Sequence, residues 1–226
     1  MLILGIDDAG RGPVIGPMVM AGVLIDSKDE DKLRLLGVKD SKQVIQSKRE
    51  ILAKEIEKIA VSYHFVIISA NEIDGRGDAG LNLNQLEAVK TAAIINKLNK
   101  KDEKIKVVID CPSVNTKSWQ HYLEGYIDNI ENLSLYVEHK ADINHVACSA
   151  GSIIAKVTRE KEIEKLKKKI GVDFGSGYPS DPITKEFIAK HGEQYLKEGI
   201  IRQTWATWTL NHEPKKEKKQ KSLSEF

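Results

Sequence analysis

The sequence predicts an α/β layered domain built on a mixed β-sheet, and three observations indicate this class. Short apolar or alternating runs occur early in the chain, at residues 2–6, 18–25 and 61–68, and such runs are typical of strands. The Gly/Pro-rich segment between the first two runs is typical of a turn, which predicts that these strands pair. Later segments alternate between helical periodicity and short apolar runs, as in sheets covered by helices.

The remaining elements follow from their local patterns. Residues 47–60 predict a helix that begins behind Ser47 as its N-cap. Its predicted apolar face consists of Ile51, Leu52, Ile56 and Ile59. The later predicted elements are a helix over 83–98, a strand over 105–109 that ends in Asp110, a helix near 115–131, a strand over 133–138, a long helix from about 145 to 169 and a helix over 182–197.

Composition divides the chain into three predicted parts. Residues 1–172 contain the alternating elements and form the predicted core. Residues 173–212 are richer in glycine, proline and aromatic residues and are predicted to be a smaller C-terminal helical subregion packed on this core. Residues 213–226 are hydrophilic and basic, and we expect a mobile tail there.

The charge of the 226 residues sums to only +2 but is unevenly distributed. Lysines crowd residues 161–169 and 215–221, whereas the candidate chemical residues are acidic, a pattern expected where cations and phosphates meet. No apolar run approaches the roughly 20 residues that span a bilayer, and no signal-like N-terminus is present, so we expect a cytoplasmic protein that does not bind membranes. Cys111 and Cys148 lack zinc-like spacing and are predicted to be small buried residues.

Four aspartates follow predicted strands. Asp7 and Asp8 come after the first strand, Asp110 ends the strand at 105–109, and Asp142 follows the strand at 133–138. If these strands are neighbours, the four carboxylates converge, and their mutual repulsion then requires a hard divalent cation. Oxygen ligands favour Mg²⁺ or Mn²⁺ over zinc. Taken singly, each aspartate is also explained as a turn residue or a helix cap.

Four segments resemble the type 2 ribonucleases H, the ribonuclease HII family. They are GIDDAGRGPVIGPMV (5–19), GVKDSKQ (37–43), HKADINHVACSAGSIIAKVTRE (139–160) and GSGYPSDP (175–182). They occur in the order of that family, the likeness extends over residues 1 to about 208, and its form resembles the archaeal members. The resemblance implies a ribonuclease H-like mixed sheet of about five strands flanked by helices. It also implies that residues 1–172 are the catalytic core and that residues 173–212 bind substrate.

The resemblance also implies an activity and a metal site. It implies an endoribonuclease that hydrolyses the phosphodiester bond 5' to ribonucleotides, in RNA–DNA hybrids and at single ribonucleotides in duplex DNA, leaving 3'-hydroxyl and 5'-phosphate ends. The family holds divalent metal with four carboxylates, and the matching positions here are Asp7, Asp8, Asp110 and Asp142. Two Mg²⁺ or Mn²⁺ ions would activate water and stabilise the leaving oxygen.

Two positions depart from the family pattern. Glutamate is usual where this chain has Asp8, and the shorter side chain retracts the carboxylate by roughly 1.5 Å, which predicts lowered activity. A natural variant and an engineered attenuation both stay open. Alanine is usual at Gly151, and glycine is expected to destabilise its helix by up to about 1 kcal/mol.

The resemblance further assigns substrate contacts. The main chain of Gly10, Arg11 and Gly12 would recognise a 2'-hydroxyl, and Tyr178 would stack on the sugar beyond the ribonucleotide. The predicted phosphate contacts are Ser41, Lys42, Asn115, Lys156 and Arg159. Each has a structural alternative, which is a tight turn for the glycines, a half-buried aromatic for the tyrosine, a helix cap for the asparagine, and a solvated or salt-bridged surface for the cations.

The C-terminal QKSLSEF resembles the clamp-binding box of replication and repair enzymes. Gln220, Leu223 and Phe226 are spaced so that the leucine and the phenylalanine share one face of a helical turn. The usual second aromatic is missing. The segment predicts docking on the sliding clamp (PCNA), and the chain itself is expected to be a monomer.

Two other classes of function stay open. A non-catalytic nucleic-acid-binding protein would keep the scaffold while Asp8 weakens metal binding. A nucleotide-binding enzyme would use the glycines for phosphates, but the sequence has no G-x-x-x-x-G-K-[ST] motif. Metal-dependent nicking of a duplex that contains one ribonucleotide would separate these classes.

Overall fold

Strand β1 lies at the centre of a mixed sheet in the computed structural model, which describes residues 1–38 and 44–212. The strands are β1 (Leu2–Ala9), β2 (Met18–Asp26), β3 (Ser62–Ile68), β4 (Ile105–Asp110) and β5 (Leu133–Glu138). Their order in the sheet is β3-β2-β1-β4-β5. β1 pairs antiparallel with β2 and parallel with β4, which confirms the predicted mixed sheet.

Helices cover both faces of this sheet. They are α1 (Glu30–Leu35), α2 (Gln46–Ile59), α3 (Ala70–Gly75), α4 (Leu83–Leu98), α5 (Thr116–Glu124), α6 (Ala141–Asn144), α7 (Val146–Ile170), α8 (Pro182–His191) and α9 (Ala206–His212). Within the described ranges, 3₁₀ helices span Ser27–Asp29 and Gly192–Glu198. α4 begins with a reciprocal capping box between Asn82 and Gln85, and α7 ends at Gly171 in the left-handed conformation.

Alternating side chains of β1 divide the interior into two cores. Ile3 and Ala9 pack with α2 and α7 on one face of the sheet, which we call the α7 face. Leu4 and Ile6 pack with α4 and α5 on the other, which we call the α4 face. Because side chains alternate along a strand, Asp7 lies on the α7 face together with Ile3 and Ala9.

α7 approaches β1 at main-chain contact distance. A Cβ placed on Gly5 would lie 2.1 Å from the carbonyl carbon of Ala147, so this position admits only glycine without a shift of the helix. Gly151 is the matching glycine of α7, where a Cβ would lie 3.0 Å from the Ala21 oxygen and 3.1 Å from the Gly5 oxygen. The predicted loosening of the helix stays a prediction, and close approach to the sheet is a second role for Gly151.

Four predictions about helices are wrong. Ser47 lies inside α2, and the N-cap is Ile45, without a side-chain cap bond. Ile51 is 62% exposed, because it projects away from the buried stripe that Leu52 and Ile56 form. α5 ends at Glu124 instead of continuing to 131, and α8 ends at His191, where a 3₁₀ helix follows.

The elements after residue 172 pack on residues that follow β1. Phe174, Phe187 and Trp208 form a third core with Val14 and Ile15. The division of the chain at residues 172 and 173 stays a prediction, and residues 213–226 lie outside the described residues. None of the helices in the described ranges combines the length and apolarity that a membrane span needs.

Candidate active site

A cleft of about 620 Å³ opens beside the carboxyl ends of β1 and β4. Its lining includes the four predicted acids, Asp7, Asp8, Asp110 and Asp142. The parallel pairing of β1, β4 and β5 produces this convergence, because it brings the ends of three strands to one edge of the sheet.

Asp7 is buried on the α7 face, with 6% of its surface exposed. Its Oδ1 accepts a hydrogen bond from the main-chain N–H of Asp8 at 2.7 Å, and its side chain is hydrogen-bonded to Ser152. Burial, followed by the negative charges of Asp8 and Asp110, raises the pKa of Asp7 to about 8. A negative charge here is therefore costly unless a cation offsets it.

Asp8 points to the opposite face, as the alternation of β1 requires. Burial, followed by the negative charge of Glu87 on α4, raises the pKa of Asp8 to about 7, whereas the charge of Arg11 opposes this rise. The two adjacent aspartates therefore have different neighbours although both line the cleft.

Asp110 and Asp142 complete the acidic cluster from β4 and α6. The Asp110 Oδ1 accepts from the Ala141 N–H at 3.1 Å, which connects the end of β4 to the start of α6. Asp142 is buried in α6, and its main-chain oxygen accepts from the Ser149 hydroxyl. These contacts fix the helix that carries Asp142 against the strand that carries Asp110.

The thiol of Cys148 lies among these carboxylates. Burial and then the charges of Asp7, Asp110 and Asp142 raise the pKa of this thiol well above its ordinary range, and its Sγ donates to the Ile6 oxygen at 3.0 Å. Cys111 and Cys148 are both buried and not disulfide-bonded, which confirms the prediction of small buried residues. A thiol that stays protonated contributes packing rather than a metal ligand.

The donor chemistry of the cluster fits a hard divalent cation. All four candidates are carboxylates, and burial with mutual repulsion raises the pKa of Asp7 and Asp8, a cost that a cation would offset. Within residues 1–38 and 44–212, no three Asp, Glu, His or Cys side chains are already gathered to hold a metal ion. The side chains therefore fit a divalent ion by chemistry and burial, not by a preformed coordination shell.

The glycine loop, which we define as Gly10–Gly12, forms one wall of the cleft. Gly10 has φ +85°, and a Cβ there would lie 2.2 Å from the Arg159 Nε, so the loop needs glycine at this position. The Arg11 side chain leaves the loop toward α4, where it donates to the Glu87 Oε1 at 2.8 Å and to the Asn84 Oδ1 at 2.6 Å.

Arg202 binds this loop from the C-terminal part of the chain. Its guanidinium is fully buried and donates to the main-chain oxygens of Gly10 at 2.7 Å, Arg11 at 2.9 Å and Gly16 at 3.0 Å. Sequence reasoning missed both Arg202 and Glu87. The one available signal was a single arginine directly after two isoleucines in IIRQTW.

Arg159 and Lys156 of α7 both line the cleft. Arg159 is buried and donates to the Pro17 oxygen at 3.2 Å and to the Ser176 oxygen at 3.3 Å, so it connects two loops. Lys156 donates to the Ser152 hydroxyl at 2.7 Å. Contact of either side chain with phosphate stays a prediction.

Tyr178 lies at the cleft with 40% of its surface exposed, and the Arg159 guanidinium lies 5.2 Å from its ring centroid. Its loop is fixed by Asp181, whose carboxylate accepts from the N–H and the hydroxyl of Ser176, both at 2.7 Å. The loop also accepts from the Val14 N–H through the Gly177 oxygen at 2.8 Å. The ring is therefore held at the cleft by its surroundings.

The remaining predicted site residues are placed differently. Asn115 caps α5 by accepting from the Ser118 N–H at 3.0 Å, in agreement with its structural alternative. Ser41 and Lys42, together with Gln220, Leu223 and Phe226, lie outside the described residues. The cleft also extends between α2 and α7 past the ion pair of Arg49 with Glu160, which sequence reasoning did not identify.

Comparisons with known proteins agree on one family. Residues 4–208 match the sequence profile of the family described as Ribonuclease HII. Ribonuclease HII of Pyrococcus furiosus is 44% identical over 232 residues, which cover 100% of this chain and 98% of the relative. Ribonuclease HII of Pyrococcus horikoshii is 43% identical over 208 residues, which cover 92% of this chain and 91% of the relative.

Solved structures give the same result. The crystal structure of ribonuclease H2 from Pyrococcus horikoshii has a TM-score of 0.80 and 42% identity, covering 93% of this chain and 96% of that chain. A structure of the PCNA:RNase HII complex from Archaeoglobus fulgidus has a TM-score of 0.76 and 41% identity, covering 91% of this chain and 95% of that chain. Bst-RNase HIII in complex with Mn²⁺ has a TM-score of 0.77 at 23% identity, covering 92% of this chain and 68% of that chain. It therefore shares the fold.

Proposed function

This chain belongs to the ribonuclease HII family, whose members depend on divalent metal, and is an archaeal-like ribonuclease H endonuclease; from this premise we propose its finer activity. It hydrolyses the phosphodiester bond 5' to a ribonucleotide, in RNA–DNA hybrids and at single ribonucleotides embedded in duplex DNA. The products carry 3'-hydroxyl and 5'-phosphate ends.

The observation that supports this proposal best is the set of residues that line the cleft containing Asp7 and Asp110. Carboxylates from β1, β4 and α6 line it beside the glycine loop and the loop that carries Tyr178. A cluster that needs a cation thus lies beside main-chain groups and an aromatic ring, which suit a ribose and the next sugar. Cleavage beside a ribonucleotide requires that the metal ligands and the groups that recognise the 2'-hydroxyl lie in the same cleft.

Asp7, Asp8, Asp110 and Asp142 are the residues that would hold divalent metal. Two bound ions would supply an activated water and charge stabilisation at the leaving oxygen. The protein's own part is to line one cleft with these carboxylates, and the raised pKa of Asp7 and Asp8 means that metal binding releases protons near neutral pH. Asp8 is the weakest member of the set, because its side chain is one methylene shorter than the glutamate usual at this position and leaves β1 on the α4 face.

Substrate recognition is divided between two loops. The main chain of Gly10–Gly12 contacts the 2'-hydroxyl, and Tyr178 stacks on the sugar that follows the ribonucleotide. Lys156 and Arg159, which line the cleft between these loops, contribute positive charge toward phosphate. Because such contacts release counterions, binding weakens as the salt concentration rises.

Docking on the sliding clamp is a separate part of the proposal. The relative from Archaeoglobus fulgidus was solved as a PCNA:RNase HII complex, and the tail residues Gln220, Leu223 and Phe226 match a clamp-binding box. Removal of residues 213–226 should abolish co-elution with PCNA and leave nicking in the absence of PCNA unchanged. Co-elution of the shortened chain would exclude the tail as the docking segment.

A nicking assay tests the proposed activity. The substrate is a labelled DNA duplex with one ribonucleotide, incubated with protein and Mg²⁺ or Mn²⁺, and the all-deoxy duplex is the control. We expect a single metal-dependent cut directly 5' to the ribonucleotide, with ends that a ligase and a phosphatase identify as 3'-hydroxyl and 5'-phosphate. Binding without a metal-dependent cut would support the alternative of an attenuated nucleic-acid-binding protein, which the family assignment does not favour.

A further inference from the structure

Side chains from the C-terminal part of the chain engage all three carbonyls of the glycine loop. Arg202 donates to the oxygens of Gly10 and Arg11 at 2.7 and 2.9 Å, and the Trp205 Nε1 donates to the Gly12 oxygen at 3.2 Å. A loop whose successive carbonyls are bound in this way has little freedom to rotate its peptide planes. The orientation of its main-chain groups is therefore set by residues 202–205.

The segment that carries these donors is itself fixed to the sheet domain. Asp74 of α3 accepts from the N–H groups of Gln203 and Thr204 at 2.6 and 3.1 Å, and the Arg202 guanidinium lies 5.0 Å from the Trp205 ring centroid. Arg202 and Trp205 are therefore held on both sides, by α3 and by the loop.

Arg202 is an unusual residue to place in a core. Burial, followed by the charge of Arg159, lowers its pKa to about 9, which shows how unfavourable the site is for a cation. A buried charge is seldom the most stable choice for a core position, since well-packed apolar residues often stabilise more. Its contacts with the loop carbonyls offer a functional reason for its presence.

Glu87 restrains the same loop from the α4 face. It is only 1% exposed, and its Oε1 accepts from the Arg11 Nε at 2.8 Å, while its Oε2 has no hydrogen-bond partner among the described residues. The contact draws the Arg11 side chain toward α4. The loop is thus held by its carbonyls on one side and by its single side chain on the other.

We propose that Arg202, Trp205 and Glu87 are positioning residues that hold the main chain of Gly10–Gly12 in the conformation that distinguishes ribose from deoxyribose. The inference rests on the proposed function, in which this loop contacts the 2'-hydroxyl. A site that hydrogen-bonds one hydroxyl discriminates only while its donors and acceptors stay in place. The carboxylates are carried by β1, β4 and α6, so selectivity and catalysis have separate supports.

The test compares Arg202→Lys, Trp205→Phe and Glu87→Gln with the unchanged protein. Lysine keeps the charge of arginine but loses its planar fork of donors. Phenylalanine keeps an aromatic ring but loses the indole N–H, and glutamine keeps the shape of glutamate but loses its charge. For each variant, KM is measured on the duplex with one ribonucleotide, and the inhibition constant of the matched all-deoxy duplex is measured as a competitor. The inhibition constant divided by KM is the selectivity for ribose.

We expect Arg202→Lys to lower this ratio about tenfold, since a weakened hydroxyl contact raises KM for the ribonucleotide duplex only. Trp205→Phe and Glu87→Gln should lower it less, and kcat should change less than KM in all three. The control is Arg76→Lys, because Arg76 also lies over the Trp205 ring, at 5.5 Å, and donates to Ile73 and Thr204 rather than to the loop. The control should keep the ratio unchanged.

A lower melting temperature with an unchanged ratio in Arg202→Lys and Trp205→Phe would overturn the inference and leave a purely structural role. If Arg202→Lys does not fold, the other two variants decide the question by the same ratio. Failure of the unchanged protein to cut at the ribonucleotide would instead overturn the proposed function, and the inference with it.

Discussion

Asp7 and Asp8 are adjacent in the chain, yet the structure places them on faces of the sheet that are built differently. On the α7 face, a helix touches β1 through main-chain atoms at Gly5, and Asp7 lies beside that contact. On the α4 face, Asp8 lies near an ion pair between Glu87 and Arg11, a contact made by side chains. Main-chain packing fixes one half of the acidic pair, and adjustable side chains surround the other.

This contrast indicates where the site tolerates substitutions. A main-chain contact cannot relax by rotating a side chain, so a larger residue at Gly5 must move a helix or a strand. Side chains on the α4 face have other rotamers available. We therefore expect large effects on the α7 face and graded effects on the α4 face, and four predictions test this contrast.

The largest effect is expected from removal of one carboxylate charge on the α7 face. Asp110→Asn should lower kcat by about 10³-fold, because it removes charge at a proposed metal ligand while keeping the side-chain shape. Glu87→Gln on the α4 face is the matched comparison and should lower kcat by less than about tenfold. Steady-state nicking measures both, and equal losses would contradict the contrast.

The next effect concerns stability. Gly5→Ala should lower the free energy of unfolding by about 3 kcal/mol, because the new Cβ would meet Ala147 main-chain atoms at 2.1 Å. Gly22→Ala, on the α4 face, would meet the Ile94 side chain at 2.5 Å and should cost about 1 kcal/mol, since that side chain can rotate.

Urea denaturation measures this pair of substitutions. Gly77→Ala is the control, because a Cβ there has no neighbour within 4 Å, and its change should stay within about 0.5 kcal/mol. A cost at Gly22 as large as that at Gly5 would show that both faces pack equally rigidly.

A smaller effect is expected from metal and pH. The pKa of Asp7 rises from its ordinary 3.8 to about 8 on folding, so between these values the folded protein binds more protons than the unfolded chain. The contribution of Asp7 to the free energy of unfolding of the metal-free protein should therefore be largest below about pH 4. It should fall as the pH rises to about 8. Mg²⁺ binds the deprotonated carboxylates, so it should stabilise more at pH 8 than at pH 5.

Thermal unfolding with and without Mg²⁺ at both pH values measures this dependence. Stabilisation at pH 8 should reach about 2.7 kcal/mol at a Mg²⁺ concentration one hundred times its dissociation constant. Asp7→Asn should remove most of the Mg²⁺ effect but only part of the pH dependence, because the pKa values of Asp8 and Glu87 are also raised, each to about 7. A Mg²⁺ effect that is equal at the two pH values would separate metal binding from these carboxylates.

The smallest effect is expected at Asp8. Asp8→Glu should raise the nicking rate several-fold and up to about tenfold, because one more methylene extends the carboxylate by roughly 1.5 Å from the α4 face toward the cleft. Comparison of the two proteins on the single-ribonucleotide duplex measures the gain. Equal rates would show that the shorter side chain does not limit turnover.

Most of the sheet and the long helices could be predicted because their patterns are regular. The predicted bounds of the helix at 83–98 and the strand at 133–138 match α4 and β5. α1, α3 and α9 were missed because six or seven residues hold too few turns to show a helical period. Ser47 failed as a cap because the helix begins one residue before it.

The acids of the site were visible in the sequence because they follow strands and belong to recognisable motifs. Their supports were not visible. Glu87 meets Arg11 across 76 positions, and Arg202 meets the loop across more than 190, and no local pattern contains such distances. That Asp7 and Asp8 face opposite ways could have been read from the period of two along a strand, and only the tertiary structure shows what each one meets.

The contact between Arg202 and Gly10 joins residues that are 192 positions apart. Translation makes Gly10 192 positions before Arg202, so the growing chain lacks the Arg202 contacts of the glycine loop until residue 202 has been added. If this loop recognises ribose as proposed, chains terminated before residue 202 should contain the acidic residues and lack sugar discrimination. The order of synthesis would then delay selectivity for ribose until after the acidic residues have been made.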